Sequence, residues 1–77
     1  MMTIKEYFQT IQAFEGFEAW ENAQFKLWKR IKSGKRFNLN KWAKKNGVDL
    51  KAKYDNGTVV FDWWMEEMED IFENGEG

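Results

Sequence analysis

The chain has no cysteine, no histidine and no proline among its 77 residues. Without cysteine there is no disulfide framework, no thiolate metal site and no thiol nucleophile. Without histidine there is no imidazole base and no histidine metal ligand, so the usual triads and zinc constellations are excluded. A single serine, Ser33, sits beside Gly34 and reads as a helix stop rather than a nucleophile. No stretch approaches the roughly 18 apolar residues a membrane span needs, and the N-terminus carries no signal-peptide pattern. P-loop, GxGxxG and EF-hand patterns are absent as well. The expectation is a soluble, cytoplasmic, non-enzymatic protein with no membrane partner and no cofactor.

Seven Phe, five Trp and two Tyr stand against those absences. Chains below about 70–80 residues often need a metal or disulfide to hold a core together. Aromatic side chains that bury roughly 150–250 Å² each supply the alternative.

Charge is distributed in blocks. Residues 1–25 carry one cation, Lys5, against four acids. Residues 26–53 carry eleven of the twelve cations, opposed only by Asp49. Residues 54–77 carry eight acids and no cation. The net charge of −1 therefore hides a strongly bipolar chain.

Apolar periodicity predicts the helices. Ile4, Tyr7, Phe8, Ile11 and Phe14 follow the i, i+3, i+4, i+7 spacing of one buried face. Thr3 with Glu6 forms a capping box that starts this helix at Ile4, and Gly16 stops it. A second helix is expected over Phe17–Lys32, with Phe17, Ala19, Trp20, Ala23, Leu27, Trp28 and Ile31 on one broad face. Phe25 falls outside that stripe, between Lys29 and Lys32. Phe37 and Leu39 alternate with polar residues, a weak strand signal. Asn40 can then cap a brief helix carrying Trp42 and Ala43, ended by Asn46-Gly47.

Two runs, Val48–Tyr54 and Thr58–Trp63, flank Asp55-Asn56-Gly57. Asn-Gly is a strong two-residue hairpin signal, and placing it at the tip sets Asp55 opposite Thr58. Tyr54 then faces Val59, Ala52 faces Phe61 and Leu50 faces Trp63, while Lys51 meets Asp62 and Lys53 meets Val60 on the other face. A last helix is expected from Trp63 to Glu73 with Asp62 as its cap and Trp64, Met65, Met68, Ile71 and Phe72 as its stripe. Residues 74–77 are expected to be a frayed tail. The fold class is thus α+β: one small domain over 1–77, with two N-terminal helices, a short basic helix, an antiparallel hairpin and an acidic helix. The expected core is Ile4, Phe8, Ile11, Phe14, Trp20, Leu27, Ile31, Leu50, Phe61, Met68 and Phe72.

Two surfaces emerge as candidates. Glu66, Glu69, Asp70 and Glu73 form an acidic face suited to a cationic groove on a protein partner, where opposite fields speed encounter. As carboxylates on one helical face, Glu66, Asp70 and Glu73 also have the oxygen chemistry of a hard-cation site, although such charge runs are ordinarily solvated surface, and no metal is expected. The second surface is basic: Phe25, Lys26, Lys29, Lys32, Lys35, Arg36, Lys44 and Lys45. With interleaved Trp28, Phe37, Trp42 and Tyr54 it has the ingredients for phosphate contacts and base stacking, so nucleic acid is the alternative partner. The sequence pI near 5.4 weighs against a simple nucleic-acid module.

Ala43, Gly47 and Val48 resemble the Ala-x-x-x-Gly-Val turn of the helix-turn-helix motif. Lys53, however, stands where an apolar residue would anchor the recognition helix, and Asn56-Gly57 claims the same stretch for a hairpin. In general character the chain resembles the compact inhibitors that phages and mobile elements encode, a similarity of type that implies docking on a nucleic-acid-processing enzyme. A dimer joining the acidic face of one copy to the basic face of another fits the same residues.

Overall fold

The computed structural model describes residues 1–34 and 36–74. Four helices follow one another: α1 (Ile4–Glu15), α2 (Phe17–Lys32), α3 (Leu39–Asn46) and α4 (Val60–Glu69). The last continues directly into a π-helical turn over Asp70–Asn74. The fold is 69% helical, and among the described residues there is no β-strand. The expected α+β class is therefore wrong; this is a mostly helical domain without a sheet among the described residues.

The first two helices form where the periodicity places them. At α1 the Thr3 hydroxyl accepts from the Glu6 N–H at 3.1 Å, and the Glu6 carboxylate accepts from the Thr3 N–H at 2.9 Å. Gly16 is the whole connection between α1 and α2. Its φ of +96° and ψ of 174° suit glycine alone, and its N–H closes α1 while its carbonyl opens α2.

The third helix starts earlier than expected. Asn38, not Asn40, accepts from the Lys41 N–H at 3.0 Å and caps it. The earlier start turns Leu39, Trp42, Ala43 and Asn46 inward at i, i+3, i+4 and i+7, which removes the strand expected around Phe37 and Leu39. Gly47 in the left-handed region ends α3 as expected. No helix follows within the next dozen residues, so the helix-turn-helix resemblance at Ala43, Gly47 and Val48 has no recognition helix behind it.

The hairpin is reduced to its tip. The Gly57 N–H donates to the Tyr54 carbonyl at 2.9 Å, the Tyr54 N–H to Thr58 and the Val60 N–H to Ala52, with a single antiparallel bridge between Lys53 and Val59. This register is one residue away from the expected pairing. The two-residue turn needs positive φ at both Asn56 and Gly57, but only Gly57 adopts it, at +88°. Asn56 instead uses its side-chain oxygen to accept from the Thr58 N–H at 3.0 Å, which favours a three-residue loop. The second arm then turns helical at once. Val60, Trp64 and Met68 are buried at i, i+4 and i+8, a helical stripe that begins three residues before the expected start. Val59 occupies the cap position, and Asp62 lies inside the first turn.

The core is Ile4 and Phe8 of α1, Leu27 and Trp28 of α2, Ala43 of α3, Val48, and Val60, Trp64 and Met68 of α4. The Phe8 and Trp64 rings stack at 5.5 Å with 10° between their planes. Buried Gln24 accepts from the Trp64 indole N–H at 3.0 Å. Of the expected core, Ile4, Phe8, Leu27 and Met68 are fully buried. Ile11, Trp20, Ile31, Leu50, Phe61 and Phe72 pack around the edge. Phe14 is 85% exposed. Contacts from α3 and α4 reach α1 at Lys5, Tyr7 and Phe8, well before Phe14 in its last turn.

Candidate functional site

Two flanks of α2 carry different chemistry. At 3.6 residues per turn Lys32 and Arg30 point about 160° apart, and Lys32 and Lys26 about 120°. The first flank, with Phe25, Lys29 and Lys32, faces α4. The Phe25 ring lies 4.7 Å from that of Phe72, and the Lys29 ammonium sits over Phe25 at 5.1 Å. Lys32 donates to Glu69 at 3.1 Å. Its pKa is raised from the ordinary 10.5, first by the hydrogen bond to Glu69, then by the charges of Glu69 and Glu73. The sharpest part of the expected basic surface is thus spent against the acidic helix. The two candidate faces share a seam.

The second flank, with Lys26 and Arg30, faces away from α4 toward α1 and α3. Here the three helices enclose a cleft of about 260 Å³, whose walls include Tyr7 of α1, Lys26, Leu27 and Arg30 of α2, and Trp42 of α3. One hydrogen bond and one ring contact fix the aromatic walls. The Tyr7 hydroxyl donates to the Asn46 side-chain oxygen at 3.3 Å, and the Asn46 amide donates to the Trp42 carbonyl at 2.8 Å. The Tyr7 and Trp42 rings meet edge to face at 5.4 Å. Arg30 is held over the Phe37 ring at 5.6 Å. Lys44 and Lys45 are exposed on α3 together with Lys41, and Arg36 is exposed just before that helix. Lys35 lies outside the described residues.

On α4 the expected acidic set divides. Glu69 is half-buried and bonded to Lys32, while Glu66, Asp70 and Glu73 are exposed. Glu67, not among the expected site residues, pairs with Lys5 at 2.6 Å. Among the described residues no three acids come together as a metal site. Trp63 and Ile71, 45% and 44% exposed, stand on the solvent side of this helix beside Glu66 and Asp70. No described helix is long and apolar enough to cross a membrane.

Sequence reasoning missed Tyr7, Arg30 and Trp42 as one group because they come from three helices. It missed Trp63 because the residue was assigned to a strand's buried face. Exposed Phe14 and Phe17, on either side of Gly16, were read as core-facing from spacing alone. No protein-family model, curated protein or solved structure matches this chain.

Proposed function

We propose that this chain is a non-enzymatic, inhibitor-like binding protein that docks on a cationic surface of a protein partner through the outer face of α4. The observation that carries this reading is the pair of half-exposed apolar side chains, Trp63 and Ile71, set among Glu66 and Asp70. Tryptophan is the residue type most favoured as a binding anchor, and an acidic rim steers encounter with a basic groove. Residues 54–77 contain no cation of their own; Lys5 and Lys32 offset Glu67 and Glu69, and among the described residues no ion pair offsets Glu66 or Asp70. The absence of histidine and cysteine from the sequence supports a role without catalysis. A groove that ordinarily holds nucleic acid is one such cationic surface, and occupying it would inhibit by competition.

Affinity capture with the wild type, a Glu66→Lys/Asp70→Lys variant, a Trp63→Ala variant and a Lys41→Glu/Lys44→Glu control tests this. The expected result is a partner held by wild type and control but lost from both α4 variants. Equal retention by all four proteins overturns the assignment of this face.

A further inference from the structure

We infer that the cleft between α1, α2 and α3 binds single-stranded nucleic acid, taking one base against Tyr7 and Trp42 and its phosphates on Lys26 and Arg30. This site lies on the opposite flank of α2 from the acidic helix and is independent of the α4 docking face.

Three features of the cleft select this ligand. The first is sign. Lys26 and Arg30 are one helical turn apart on the same wall, both are exposed, and among the described residues neither pairs with an acid. Arginine and lysine in this arrangement recognise phosphate oxygens. The second is shape. Tyr7 and Trp42 supply aromatic walls, Tyr7 held by its hydroxyl on Asn46 and Trp42 by its edge-to-face contact with Tyr7, so the slot exists before a base enters it. Base–aromatic stacking is largely indifferent to sequence, because every base has a π-face. The third is extent. Lys45 and Lys41 are exposed on α3, about 60° and 100° around the helix from Trp42, and extend the positive charge beyond one nucleotide, which favours a strand over a free nucleotide. A duplex keeps its bases stacked and offers none to the slot. The acidic sequence pI does not contradict this, because the screening distance in physiological salt is only about 8 Å.

The test is fluorescence anisotropy of labelled oligothymidylate and oligouridylate of about 15 nucleotides, an equivalent duplex, and unlabelled thymidine monophosphate as competitor. Titrations run from about 20 mM to about 150 mM salt. The expected result is single-strand binding that weakens with salt. The Lys26→Gln/Arg30→Gln variant should bind at least about 10-fold more weakly, with the salt slope reduced by about 1.4, the value for two lost contacts on a single strand. A Lys29→Gln/Lys51→Gln variant removes the same charge elsewhere and should bind within about 2-fold of wild type. Trp42→Phe should retain binding and Trp42→Leu should lose it. The Lys26/Arg30 variant carries the test if Trp42→Leu does not fold. Equal loss in the two charge variants, duplex binding as tight as single-strand binding, or no binding at low salt overturns the proposal. Competition by the mononucleotide at oligonucleotide concentrations overturns the strand as occupant.

Discussion

Gln24 is the one buried polar side chain among the described residues, and its role is tied to Trp64. The Trp64 ring is fully buried, stacked on Phe8 and flanked by Phe61, and its indole N–H has Gln24 as its acceptor. Gln24→Leu keeps a side chain of similar bulk but removes that acceptor. An orphaned buried N–H costs about 1–3 kcal/mol. The apolar atoms gained by leucine return at most about 1 kcal/mol, roughly one extra buried methylene. With the orphaned donor at the middle of that range, about 2 kcal/mol, the expected net loss is about 1–2 kcal/mol, out of a total that for a chain of this size is about 4–12 kcal/mol. Small domains lose about 4–8 °C of Tm per kcal/mol, so the midpoint should fall by about 4–16 °C. Thermal unfolding followed by near-ultraviolet circular dichroism measures this, with urea unfolding as an independent check. Trp64→Phe and the double variant complete a cycle. The coupling between the two positions should be about 1 kcal/mol or more, because each single change strands the other partner. An unchanged or raised Tm in Gln24→Leu, or additive losses in the cycle, refutes the reasoning.

Trp28 is the natural contrast, since its buried indole nitrogen has no hydrogen-bond partner among the described residues. Trp28→Phe removes a donor that is already unsatisfied, so in the same melts it should cost at least about 1 kcal/mol less than Trp64→Phe. Gly16→Ala introduces a Cβ with no atom within 4 Å, so its cost comes from the backbone at φ +96°. Urea unfolding should show a loss of about 1–3 kcal/mol, and an unchanged midpoint would mean the joint is not held in that conformation. Lys32 has a folded-state pKa above its unfolded value, so its contribution is fully present below pH 10.5 and fades as pH rises through the folded value. The stability difference between wild type and Lys32→Met should accordingly shrink above pH 10.5 and with added salt. A difference unchanged by either would remove Glu69 and Glu73 as its cause.

Long, well-punctuated elements were legible in the sequence. The Thr3–Glu6 box, Gly16 and a sixteen-residue amphipathic run define α1 and α2 without help from the rest of the fold. The hairpin was not, because Val59–Trp64 is a short apolar run compatible with either period. Burial of Val60, Trp64 and Met68 along one stripe decides for helix, and that depends on α1 and α2 lying beneath them. Phe14 failed for the converse reason: its spacing is right, but the side chain is left 85% exposed. For the sites, the sign of each segment was visible, but the direction of each side chain was not. Lys26 and Lys32 are the same residue type, yet one lines an aromatic cleft and the other meets Glu69.

The placement of α3 and α4 on different flanks of α2 gives the molecule an electric polarity that its net charge of −1 conceals. Two copies carry like charges and repel weakly at long range. Brought closer, the positive pole of one faces the negative pole of the other, and the interaction changes sign with orientation. Added salt weakens that attraction, and with a net charge of only −1 there is little repulsion for it to screen. The second virial coefficient should therefore rise with ionic strength, where for a uniformly charged protein it falls.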